Sequence, residues 1–132
     1  MTKLSRKERE RLRRKEEILA AAEEIFARDG YENASMNEIA KKSEFSKRTL
    51  YKYFENKSDL YLTVALRIYR SLKKESEAIN LSEENAYNSI ENLSLAFYKF
   101  YKKNKSVYRI IYDMQKVKQE TDNPKLSEFK AI

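Results

Sequence analysis

Residues 46–57 read Ser46-Lys47-Arg48-Thr49-Leu50-Tyr51-Lys52-Tyr53-Phe54-Glu55-Asn56-Lys57. With side chains set about 100° apart on a helix, Leu50 and Phe54 share one face, and Arg48 and Lys52 lie about 200° around from it. One side can pack while the other stays basic. Lys47 with Tyr51, and Thr49 with Tyr53, flank the exposed side, so hydroxyls and cations border it and can reach phosphates or base edges. Ser46 can cap this helix. Asn56 followed by Asp59 caps the next one, which carries Leu60, Val64, Ile68 and Leu72 at four-residue spacing.

Upstream, Ser35 followed by Glu38 fits a capping box and opens a short helix with Ile39 and Ala40 inward, ending before Glu44-Phe45-Ser46. Ahead of it, Ser5 and Glu8 open a longer segment with Ile18, Ala21, Ala22, Ile25 and Phe26 at helical spacing. That segment stops at Gly30, whose freedom at positive φ suits the position after a helix. Two short capped helices behind a longer one have the proportions of a helix-turn-helix, whose second member enters the major groove.

Downstream, after a polar break at Asn80 to Ser82, Ser82 with Glu83 and Glu84 opens a fifth helix placing Ala86, Ile90, Leu93, Phe97 and Phe100 on one stripe. A sixth carries Val107, Ile110, Ile111, Met114 and Val117. Asp122-Asn123-Pro124 reads as a loop with Pro at the first position of a seventh helix, for which Lys125 to Ile132 supplies about two turns. The expected fold class is all-α.

Composition agrees. The chain has 132 residues, 41% apolar and 37% charged, with one Gly and one Pro, so helices must be long and turns must use Ser, Asn and Asp. With no Cys and no His there is no disulfide framework, no thiolate nucleophile and no neutral-pH imidazole base or ligand. Catalytic residues, metal and cofactor are therefore expected to be none. Carboxylate-only chemistry on Asp59, Glu83, Glu84 or Asp113 forms no recognisable acid/base pair, because these acids sit at helix starts or between basic residues. A mean hydropathy of −0.86, and no apolar run near the roughly 18 residues a bilayer needs, exclude a membrane span. The charged N-terminus lacks a signal peptide's apolar core, so a cytoplasmic location is expected.

The net charge is +7, and the segment from Lys41 to Lys57 holds six basic and two acidic residues. More than half of the net charge therefore sits around the Ser46–Tyr53 helix, which favours an anionic partner. The segment from Lys3 to Lys15 holds eight basic and two acidic residues; such an arm can enter a minor groove, or extend as an exposed helix with Glu8 and Glu10 pairing along it. The alternative to a DNA partner is a basic amphipathic helical domain for an anionic membrane surface or a protein. It needs a continuous apolar face, and in this helix that face is short and spent on Leu50 and Phe54.

From residue 15 to about 75 the sequence resembles the TetR/AcrR family of transcriptional repressors. The likeness rests on Ile18-Leu19-Ala20-Ala21-Ala22, Ile25-Phe26-Ala27-Arg28-Asp29-Gly30-Tyr31, Ser35, Ile39-Ala40-Lys41-Lys42 and the run Ser46 to Lys57. The contiguous match into the fourth helix separates it from other helix-turn-helix proteins such as recombinase or sigma-like fragments. The resemblance implies a basic N-terminal arm (1–14), a three-helix DNA-binding head with its helix-turn-helix (15–55), a long connecting helix (56–80) and an incomplete effector-binding and dimerisation domain (81–132).

By the same resemblance Ser35 and Asn37 lie against the DNA backbone or a groove edge, and Lys47 and Arg48 read base edges. Thr49, Tyr51 and Tyr53 contact phosphate, with Tyr51 also touching a base, and Lys57 clamps a phosphate with its ammonium and nearby backbone N–H groups. Lys52 joins this DNA-binding set from the basic face. The implied partners are double-stranded DNA, a second copy of the chain and an unidentified small-molecule effector, with Phe97, Tyr101, Tyr108, Tyr112 and Met114 as candidate lining of the effector pocket. Two positions depart from the family pattern. Relatives commonly have a small residue and then Gly where Ser43 and Glu44 stand, so a retained positive φ would strain Glu44 by about 1 kcal/mol. Arg48 replaces a small residue, so the operator need not resemble any relative's. The family's two C-terminal dimer helices have no counterpart before Ile132.

Overall fold

The computed structural model describes residues 3–77 and 86–131. Six α-helices follow in order: α1 (Arg6–Asn33), α2 (Met36–Ser43), α3 (Lys47–Tyr53), α4 (Lys57–Glu77), α5 (Ala86–Lys103) and α6 (Val107–Glu120). A 3₁₀ segment (Pro124–Ala131) ends the described chain. The fold is all-α. The predicted cap at Ser82, its Glu83–Glu84 pair and the break at Asn80 lie outside the described residues.

The helix starts are set by the expected side chains. Ser5 Oγ accepts from Glu8 N–H while Glu8 Oε2 accepts from Ser5 N–H, a complete capping box. Ser46 Oγ accepts from Thr49 N–H at 3.1 Å, and Asn56 Oδ1 from Asp59 N–H at 2.8 Å. Ser35 caps α2 through Glu38 N–H, but the Glu38 carboxylate accepts from the Ser35 hydroxyl and from Arg28, so this box is one-sided.

One core joins the helices. Ile18, Ala22, Ile25 and Phe26 of α1, Ile39 of α2 and Leu50 of α3 pack on Leu60, Val64 and Ile68 of α4 and on Ile110, Met114 and Val117 of α6. Tyr61 sits at the middle, edge-on to Phe26 and Tyr31 with ring centroids 5.3 and 5.1 Å away, and its hydroxyl donates to the Ile110 carbonyl of α6. Such a buried aromatic contributes through apolar area and ring geometry together.

The segment at 1–14 is helical from Arg6 and continuous with α1, capped by the expected Ser5 box, which is the exposed-helix alternative for this arm. Two expectations need correction. On α5 only Phe100 of the expected stripe is buried; Ile90 and Phe97 face solvent, and Leu93 and Ala96 turn partly inward with it. α5 meets α4 along that narrower line, so the wider apolar stripe is not covered. The last segment winds as 3₁₀ rather than α, with Asn123 Oδ1 accepting from Lys125 N–H at its start. The first helical stretch of α1 ends at Gly30 as expected, and a further short turn reaches Asn33 beyond the kink.

Both special backbone positions lie in the head. Gly30 has φ 81° and ψ 164°, a region essentially reserved for glycine. Glu44 has φ 63° and ψ 26°, so this turn keeps the positive φ that the resemblance implied, on a residue other than glycine. Phe45 N–H donates to Ala40 O and Glu44 N–H to Lys41 O, the paired bonds of a Schellman ending. Gly30→Ala should therefore lower unfolding stability by about 1–3 kcal/mol, and Glu44→Gly should raise it by about 1 kcal/mol, both read from urea unfolding midpoints at unchanged slope.

Candidate nucleic-acid interface

α3 has seven residues and is anchored by two of its neighbours' contacts. Leu50 is fully buried and Phe54, just past its end, is 2% exposed. That fixes the opposite side outward: Lys47, Arg48, Tyr51 and Lys52 are exposed, Tyr51 by 46%. Among the described residues Lys47, Arg48 and Lys52 have no ion-pair partner, so their charges are open to a ligand. Thr49 is half-buried, its hydroxyl 2.9 Å from Ser46 Oγ, and Tyr53 is half-buried at the same edge. In α2, Asn37 is exposed and Ser35 is engaged as the cap. Six of the nine expected DNA-contacting residues thus share one short helix, and Ser35 and Asn37 share the first turn of α2.

Lys57 departs from the expectation. Its ammonium turns inward and donates to the carbonyls of Tyr31 at 2.8 Å and Ala34 at 3.2 Å, and it lies 4.4 Å from the Tyr31 ring centroid. The reason is local: the end of α1 leaves carbonyls without helical partners, and a cation at a helix C-terminus satisfies them. In this arrangement the Lys57 ammonium is committed to the end of α1.

Sequence reasoning also missed how the α3–α4 turn is held. Asp59 is 4% exposed and accepts from Glu55 N–H at 3.0 Å, Asn123 Nδ2 at 3.1 Å and Lys125 Nζ. Burial alone would raise this carboxyl, but hydrogen bonds from Lys125, the Glu55 N–H and Asn123 outweigh it and hold the group below the usual carboxylate range. No local pattern reveals a contact with partners some sixty residues away. Arg11 of α1, 5.8 Å above the Tyr53 ring, was likewise visible only as part of a basic run.

The five candidate pocket residues are not gathered around a cavity. Met114 is in the core, whereas Phe97, Tyr101, Tyr108 and Tyr112 are exposed, Tyr108 and Tyr112 by 67% and 68%. α5 and α6 spend their inward positions on α4 and α1, and these rings occupy the remaining faces. Phe97 reaches only a shallow cleft with Leu72, Glu75, Ser76 and Ala96.

Lys57→Ala should cost about 1.5–3 kcal/mol of stability, the value of charged hydrogen bonds now lost to partly buried carbonyls, measured by denaturant unfolding. The lowered Asp59 means its contribution is complete above the ordinary carboxylate range and fades as pH falls through it. Thermal midpoints should accordingly drop below about pH 4, and Asp59→Asn should be less stable at neutral pH with a smaller acid-induced drop.

Comparison with known proteins matches this geometry. Residues 18–64 match the family of bacterial regulatory proteins, tetR family. Over 101 residues the chain is 33% identical to the HTH-type transcriptional activator FasR of Mycolicibacterium smegmatis, covering 76% of this chain and 46% of FasR. Over 50 residues it is 42% identical to the HTH-type transcriptional regulator QacR of Staphylococcus aureus, covering 38% of this chain and 27% of QacR. A TetR-like transcriptional regulator from Rhodococcus sp. RHA1 has the same fold, with TM-score 0.71 at 23% identity over 87% of this chain and 62% of that one. A transcriptional regulator from Streptomyces coelicolor, SCO4942, gives TM-score 0.63 at 26% identity over 88% of this chain and 59% of its own. The chain spans less than half the length of these two curated relatives. The match to the head, in sequence and in fold, places the chain in the tetR family of bacterial regulatory proteins.

Proposed function

We propose that the chain is a sequence-specific DNA-binding transcription regulator, with α3 as the recognition helix in the major groove. The observation that carries this reading is the exposed, unpaired set Lys47, Arg48, Tyr51 and Lys52 on a short capped helix whose other face is locked into the core. Lys47 and Arg48 are the base readers, since either can donate to guanine O6 and N7. Thr49, Tyr51, Lys52 and Tyr53 contact phosphates along the groove edges, Ser35 and Asn37 border them, and the backbone at the α4 N-terminus closes the footprint while Lys57 holds that corner to the end of α1.

The protein acts as a cytoplasmic homodimer on a palindromic operator, because two recognition helices must face one side of the duplex about 34 Å apart or a multiple of it. It works as a repressor under a small-molecule effector taken up by the C-terminal helices, and has no enzymatic activity. Resemblance supports the sense of regulation, and the relative FasR carries the name of an activator. The relatives belong to a non-enzyme family of regulators. Among the described residues no helix is long and apolar enough to cross a membrane.

The test is binding to random-sequence duplex DNA over a salt series, followed by selection of bound sequences. Arg48→Ala should change which sequences are selected, at about 1–3 kcal/mol per lost bidentate contact. Lys52→Ala should weaken all sequences alike and lower the salt slope by about 0.9. Absence of binding at low salt, or a selected set that Arg48→Ala leaves unaltered, overturns the reading.

A further inference from the structure

The first three turns of α1 form more than an extension. Their start is fixed by the Ser5–Glu8 capping box, and the helix continues without a break into the buried stretch that begins at Ile18. Its register against α3 is therefore set. Lys7, Arg11 and Arg14 recur at i, i+4 and i+7, which brings them onto one stripe of the helix. That stripe borders an open groove whose other wall is Tyr53, with Arg6 beside it. The Arg11 guanidinium lies 5.8 Å from the Tyr53 ring centroid, and Lys15 lies 5.8 Å from that of Phe54, so two cations tie this wall to the end of α3.

The groove is electropositive in effect as well as in count. Its acids are already engaged: Glu8 accepts from Ser5 N–H, and Glu10 pairs with Arg13 on the neighbouring face. Among the described residues Arg6, Lys7 and Arg14 have no ion-pair partner, and the Tyr53 hydroxyl has no hydrogen-bond partner. Every lining residue but Tyr53 is charged, and cations outnumber acids among them, which suits a phosphodiester strand.

We propose that this groove is a second seat for the DNA backbone, binding phosphates of duplex that flanks the stretch read by α3. The basic segment acts here as a rigid helix along the backbone, not as a flexible arm threaded into a minor groove. The inference rests on the DNA-binding reading above and adds to it a flanking, sequence-independent contact.

The experiment compares the full chain with Lys7→Ala/Arg14→Ala and a charge-matched control, Lys74→Ala/Lys99→Ala, on pooled random-sequence duplex DNA across a salt series. Alanine favours the helix, so the groove variant keeps its fold, which circular dichroism checks. The expected result is a salt slope lower by about two and binding at least about tenfold weaker at about 0.1 M salt, with the selected sequences unchanged. The control should keep the wild-type slope, as should Lys7→Arg/Arg14→Lys, which preserves both charges. An unchanged slope in the groove variant, alongside an Arg48→Ala variant that still alters selection, overturns the groove and leaves the recognition helix standing. An equal loss in the control overturns it too, as a general charge effect. Loss of co-sedimentation with anionic phospholipid vesicles, with DNA slope intact, reassigns the groove to membranes. A wild-type chain that binds no DNA overturns this inference and the function together.

Discussion

The end of α1 is where the structure is decided. Gly30 breaks the helix at φ 81°, and the backbone of the next residues must find partners outside it. They come from two other helices. Asp113 of α6 accepts from Tyr31 N–H at 2.9 Å, and Lys57 of α4 donates to the carbonyls of Tyr31 and Ala34. Three helices therefore meet on about one turn of chain, immediately before Ser35 opens α2. Arg109 of α6 covers Gly30 and reaches Asp113, while Lys116 pairs with Glu32, so α6 is fastened along the same corner. Removing either buried charged partner leaves the other side's polar groups unsatisfied, which costs more than the bond itself contributes.

That corner also links α3 to the C-terminal helices. α3 follows α2 through the Glu44 turn and precedes α4 through the Glu55–Asn56 turn, and Asp59 holds the second turn to Asn123 and Lys125. The contacts on the two sides of α4's first turn are of different kinds. Lys57 faces backbone carbonyls and Asp59 faces donors, so neither can take the other's place. A displacement of the 121–125 loop disturbs the Asp59 set, and a displacement of α6 disturbs the Asp113–Tyr31 bond beside the Lys57 set; both end within a few residues of the head's short helices. Coupling between C-terminal helices and head thus has a contiguous physical route, with two discrete sets of bonds to break.

Much of this was legible in the sequence because the signals were local. Ser5, Ser46 and Asn56 cap the helices they were expected to cap, and Leu50, Phe54, Leu60, Val64 and Ile68 face inward as their spacing required. Glu44 kept its strained conformation because Phe45, packed against the core, and the Schellman bonds determine that turn from both sides. What stayed hidden depends on distance along the chain. The inward turn of Lys57, the burial of Asp59 and the central place of Tyr61 are each set by residues from other helices. On α5 the error has a different cause: an apolar stripe says that a face can be buried, but which line of it is covered depends on the neighbour.

A seven-residue helix is too short to be stable alone, since isolated helices below about 12–15 residues are marginal in water. The orientation of α3 is accordingly imposed from outside, by Leu50 and Phe54 in the core, by the Glu44 turn before it and by the Asp59-held turn after it. None of these groups points toward the exposed face. The residues that do, Lys47, Arg48, Tyr51 and Lys52, carry almost none of the fold, so they can be exchanged at little cost in stability. This separation lets the scaffold carry a large, charged Arg48 on the exposed side without disturbing the packing that orients the helix. On the proposed reading it also divides the energetics of recognition: exposed cations add salt-dependent affinity wherever they meet phosphate, whereas discrimination would rest on the few side chains that reach base edges.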